Sequence, residues 1–291
     1  MRLDGRRESD NFEDRRGMST GMKAGIGGIG GIIMVVLFSL LSGGNLNLGD
    51  VLQQVGTQQM EQTADGEYKA TPEEEAQVKF CKQVLASTED VWSEVFRRMG
   101  KTYTPPTIVF FTNSVQSACG GATSAVGPFY CSGDQKLYID LSFFKQMETQ
   151  LNSGGDFARA YVIAHEVGHH VENLLGILGK CHSQMQRSNK VTSNQLSVRL
   201  ELLADYYAGV WGYYEDLNFN SIDDKDIRDA INCAQHIGDN YLQEKSQGYS
   251  QPESFTHGTS AQRMKWLRQG LTTGKMGANY FPTFEGDYNS L

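Results

Sequence analysis

Apolar positions along this chain recur with three spacings, each marking a different kind of element. Between residues 107 and 141 the run Leu137, Ile139, Leu141 has the period of a strand with its apolar side chains facing one way, preceded by a turn through Gly127-Pro128. After Ser153-Gly154-Gly155-Asp156, which supplies a break and an N-cap, Phe157, Tyr161, Ala164, Val167, Gly168, Val171 and Leu175 recur at helical spacing, and Gly176 and Gly179 close the segment. A second strongly helical stretch covers Ser197 to Gly209. With a helix over 73–99, a small mixed sheet through 107–141 and helices beyond it, the order predicts an α+β fold, mainly helical, in one domain over 72–291. The 127–141 segment reads either as an edge against which an extended peptide adds a strand or as an ordinary core strand.

The third spacing is an unbroken apolar run. From Gly25 to Leu41 the chain carries no charge and is rich in Gly, Ile, Val and Leu, and the uncharged stretch continues to Gly49. A bilayer needs about 20 such residues, so 25–48 is expected to be a transmembrane anchor, and no A-x-A cleavage site follows to suggest a signal peptide. Arg2, Arg6, Arg7, Arg15, Arg16 and Lys23 precede it, whereas no Lys or Arg follows until Lys69. That bias predicts a cytoplasmic tail over 1–24 and a domain on the far side of a bacterial inner membrane, periplasmic or extracellular. Residues 49–71 read as a linker. Glycines at 21, 25, 27 and 31 offer small-xxx-small spacing, only a weak indication of oligomers formed through the anchor.

Chemistry enters at His165-Glu166-Val167-Gly168-His169. On a helix, histidines at i and i+4 share a face and can reach one Zn2+ ion, with the intervening glutamate beside the metal-bound water. A catalytic zinc takes three protein ligands and keeps a fourth position open, so another donor is required. Glu201 is the candidate. It and Asp205 stand at i and i+4 on an otherwise apolar helix, where two like charges repel unless something cationic lies between them. A metal accounts for Glu201, and a hydrogen bond to the free ring nitrogen of a ligating histidine, His165, accounts for Asp205.

HExxH followed on a later helix by E-x-x-A-D resembles the gluzincin metallopeptidases, and the wider sequence resembles the bacterial family of putative neutral zinc metallopeptidases. The resemblance rests on Gly5 to Asn11, Gly127 to Cys131, Tyr138 to Leu141, the 161–170 run and Ser254 to Ser260, and runs from the tail to about residue 270. It implies a zincin-like, membrane-anchored peptidase acting on peptide or protein substrates. By the same resemblance His257 and Arg263 are expected to face the substrate oxyanion, charge that zinc only partly neutralises. One departure is Tyr206, where family members often carry a cysteine.

The expected mechanism has zinc on His165, His169 and Glu201 lowering the pKa of its water toward about 7, with Glu166 as general base. The same ligands would serve a hydrolase of a non-protein amide, and a non-catalytic zinc-stabilised binding scaffold is a third reading. An intact Glu166 weighs against the scaffold, since a structural site needs no base.

Of five cysteines, Cys119 and Cys131 bracket a Gly/Ser/Pro-rich loop and are expected to form a disulfide. Cys181 and Cys233 are open to a second bridge or to a life as buried thiols, and none matches a structural zinc spacing. A formal charge of −8 and a pI of about 5.3, with basic residues clustered only in the tail, argue against nucleic acid as a partner.

Overall fold

Thr71 starts the first described helix by a reciprocal cap, its side chain accepting from the Glu74 amide while Glu74 reaches back to the Thr71 amide. Pro72 in the first turn, Glu73 to Glu75 behind it and Arg97 and Arg98 in the last turn all suit the helix dipole, and α1 runs Pro72–Arg98. The computed structural model of the chain describes residues 1–18 and 68–291. The expected anchor at 25–48 and most of the 49–71 linker lie outside the described residues. Among those described, no helix is long and apolar enough to cross a membrane.

The predicted mixed sheet is present, with a member the sequence reading did not include. Its strands are β1 (Phe12–Asp14), β2 (Thr107–Phe111), β5 (Phe129–Cys131) and β6 (Lys136–Asp140), in the order β1-β2-β6-β5. The β1–β2 and β2–β6 pairs are parallel and β5–β6 is antiparallel. A two-stranded ribbon, β3 (Ser114–Ser117) with β4 (Gly120–Thr123), lies between β2 and β5 in sequence. Strand β6 is therefore interior. Leu137, Tyr138 and Ile139 are all buried, on both faces of the strand, so of the two readings of this segment the core strand holds for β6. Strand β5, one turn earlier, is one of the two edge strands, with β1 at the other end of the sheet.

Strand β1 comes from the segment read as a separate tail. Residues 1–18 are built into the domain: Leu3 belongs to the same hydrophobic core as Val84 and Trp92, and the Arg15 amide donates to the Phe110 carbonyl at 2.8 Å.

Seven helices follow the sheet: α2 (Ser142–Gln150), α3 (Asp156–Leu174), α4 (Ile177–Met185), α5 (Lys190–Phe219), α6 (Asp224–His236), α7 (Asp239–Gln247) and α8 (Ser260–Thr273). Gly155, at φ 101°, occupies the N-cap of α3, and Asp156 is the first helical residue. Gly176, at φ 78°, separates α3 from α4, whereas Gly179 lies inside α4 and ends nothing. Helix α5 packs most extensively against α8 and α3. The Cys119–Cys131 disulfide is formed, with Cα atoms 5.8 Å apart. Cys81, Cys181 and Cys233 are separate buried thiols.

Candidate metal centre and its cleft

Helices α3 and α5 approach so closely at Gly168 that a Cβ there would lie 2.9 Å from the Ala204 Cα and carbonyl oxygen. Because backbone meets backbone at that point, the side chains one turn away on each helix converge. His165 and His169 from α3 and Glu201 from α5 bring one donor atom each to within 4.8 Å of one another. The His165 Nε2 lies 3.2 Å from Glu201 Oε2, and the His169 Nε2 3.6 Å from Glu201 Oε1.

Both imidazoles are held from behind by carboxylates. Asp205 Oδ1 is 2.8 Å from the His165 Nδ1, and Glu172 Oε2 is 3.0 Å from the His169 Nδ1. A carboxylate on Nδ1 fixes the tautomer that leaves Nε2 with a free lone pair, the form a metal requires. Two imidazole nitrogens, each with its other ring nitrogen on a carboxylate, and one further carboxylate are the donor types that suit zinc. Among the described residues, this metal-ligand group contains no fourth donor.

Asp205 has further partners. Its Oδ1 accepts from the Tyr161 hydroxyl at 2.6 Å, and Arg263 clamps both oxygens, through Nε at 2.8 Å and Nη2 at 2.9 Å. Burial alone would raise the Asp205 pKa, but Arg263 and His165 outweigh it and hold the group well below the usual carboxylate range. The sequence reading turned Arg263 toward the oxyanion; the structure engages its guanidinium with Asp205, behind His165. Gly209 and Gly270, where α5 and α8 touch, allow the approach that puts it there.

Glu166 is buried beside the ligands, facing the backbone of Tyr130 on β5. Burial raises its pKa, opposed by the two histidines. His257 sits in the loop before α8. Asp239, the first residue of α7, accepts from the backbone amides of Thr256 and His257 at 2.7 Å each and lies 3.0 Å from the His257 Nδ1. Asp239 raises the His257 pKa against the effect of burial. The His257 Nε2 is buried with no hydrogen-bond partner, which is costly for a polar atom unless a ligand supplies one.

These groups line a cavity of about 510 Å3. His165, Glu166, His169, Glu201, His257 and Arg263 contribute to its wall, and Val126, Phe129, Phe143, Met147, Val162 and Leu242 make much of the rest apolar. His170, next to the second ligand, turns away, its Nε2 on the Thr104 carbonyl at 2.7 Å and its Nδ1 on the Tyr130 hydroxyl at 3.0 Å.

The sequence reading missed Glu172, Asp239, Tyr161 and Tyr130. For Glu172 a signal existed, since i+3 from His169 shares its helix face. Tyr161 likewise stands one turn before His165 on the same helix, whereas Asp239 and Tyr130 become visible only when distant segments meet.

The chain's similarity to known proteins fits this geometry. A family model described as putative neutral zinc metallopeptidase matches residues 1–281. The uncharacterized protein YpfJ of Escherichia coli K12 is 42% identical over 280 residues, 94% of this chain and 96% of that protein. The uncharacterized protein Rv2575 of Mycobacterium tuberculosis H37Rv is 40% identical over 206 residues, 67% of this chain and 69% of the other. No solved structure matches the chain.

Proposed function

This chain belongs to the family of putative neutral zinc metallopeptidases, and we propose that it hydrolyses peptide bonds, with His165, His169 and Glu201 as zinc ligands and Glu166 as general base. The observation that carries the reading is a three-donor group, left open on one side, in a mostly apolar cleft with a buried carboxylate next to it.

Zinc bound there would polarise a carbonyl and lower the pKa of a coordinated water. Glu166 takes the proton from the attacking water and passes it to the leaving amine; its buried position and raised affinity for a proton suit both transfers. His257 donates from Nε2 to the oxygen that gains charge, while Asp239 holds its Nδ1 side. Strand β5 is the free edge beside Glu166, and an extended peptide pairing with it would have its backbone fixed across the ligands. The apolar wall would take a hydrophobic side chain adjacent to the cut bond.

Removing metal with a chelator and adding back zinc tests this directly. Cleavage of a peptide substrate is expected to vanish and to return at one zinc per chain. Cleavage that survives metal removal would overturn the proposal.

A further inference from the structure

The basic motif at the amino end has no part in the catalytic geometry, yet the domain is built around it. Glu215 on α5 is completely buried, and the cation that neutralises it is Arg6, whose Nη1 lies 2.7 Å from Oε1. The same guanidinium stacks 3.6 Å over the Phe219 ring. On α1 the buried Glu89 accepts from the Ser9 hydroxyl at 2.5 Å and the Asn11 side-chain amide at 2.8 Å. Two carboxylates on separate helices would thus be left buried and without these partners if residues 1–18 were elsewhere. Backbone pairing adds register, with Glu13 opposite Val109 in the parallel ladder and the Ile108 amide donating to the Asn11 carbonyl at 3.0 Å. The two described ends flanking residues 19–67 also meet, since a Cβ on Gly17 would fall 2.2 Å from the Tyr68 Cβ.

We infer that residues 1–18 are an integral part of the domain and lie on the same side of any membrane as residues 68–291, whatever path residues 19–67 take between them. A chain that crosses a bilayer once between Met18 and Tyr68 cannot also place β1 in the sheet. The opposite-sides arrangement expected from the charge bias rested on arginines that are otherwise employed: Arg6 pairs with Glu215, Arg7 with Glu89, and Arg16 with Asp14 and Glu75. A positive-inside count presumes charges free to interact with the membrane surface.

The test uses the full-length protein in cells, with Asp10→Cys or Lys101→Cys, both exposed positions, and a membrane-impermeant maleimide. The native thiols are buried or in the disulfide and give little background. The two positions are expected to react together in intact cells or to be protected together until lysis. Reaction of one and protection of the other would overturn the inference. Hydrogen exchange on the purified full chain checks the seat itself: the Arg15 and Ile108 amides are expected to be protected, and free exchange of both would equally overturn it.

Discussion

At the scale of single residues, the site depends on what stands behind each ligand. His169 is held by Glu172, and a carboxylate so placed typically accounts for 10–100-fold in metal affinity. Glu172→Ala is therefore expected to weaken zinc binding by about 10–100-fold, read by competition with a chromophoric chelator, while turnover at saturating zinc changes less. The Asp239–His257 pair carries a pH signature in the metal-free protein. Asp239 titrates below its ordinary 3.8, so its contribution to stability is present above about pH 4 and is lost as pH falls through the lowered value. His257 titrates above its ordinary 6.5, so its contribution is present below that pH and is lost as pH rises through the raised value. The expected outcome is a raised melting temperature between about pH 4 and 6.5 that falls off on either side, and whose excess is lost in Asp239→Asn. A wild-type profile identical to that of the variant would contradict the pairing. His165, Glu166 and His169 were legible because their spacing is itself the chemistry. Glu201 and Asp205 were legible because two acids on an apolar helix need partners. Arg263 lines the cavity as its expected place requires, but its bonds to Asp205 were not legible, since the chain alone does not show that α8 presents it there.

Between elements, the α3–α5 contact sets the ligand geometry. Gly168→Ala would push a methyl group into the Ala204 backbone at 2.9 Å, with no flexible side chain to yield. Overpacking of this kind costs about 1–3 kcal/mol, and because Glu201 rides on the displaced helix, zinc affinity is expected to fall with thermal stability. Unchanged affinity would mean that the helices separate without moving the ligands. The tail-to-helix contact gives a second prediction. Arg6→Ala strands the buried Glu215 carboxylate and is expected to cost about 3 kcal/mol, the lower end for a broken buried pair because the Arg6 side chain keeps some contact with water. Denaturant titration would measure it, and a loss near zero would show that residues 1–18 contribute little to the fold. Helix positions followed from periodicity, but sheet order did not. Phe12–Asp14 is a short strand with only its middle residue partly covered, and its partner lies far along the chain, so no local pattern marks it.

For the whole molecule, a helical body packs with a small mixed sheet, and its edge strand β5 borders the cavity that His165, His169 and Glu201 line. Residues 1–18, read as part of a tail, belong to that body. The charge pattern that suggested a membrane orientation consists largely of internal ion pairs, and composition cannot separate the two uses of arginine. Glu166 is the proposed base, and replacing it should leave His165, His169 and Glu201 untouched. The decisive measurement incubates the zinc-loaded full chain and Glu166→Gln with a diverse peptide mixture and identifies products by mass spectrometry. The account predicts cuts beside hydrophobic residues from the unmodified protein and a loss of roughly 10²–10⁴-fold in the variant at equal zinc content. Equal cleavage by both proteins would contradict the role of Glu166, and no cleavage by either, with zinc bound, would contradict a peptidase.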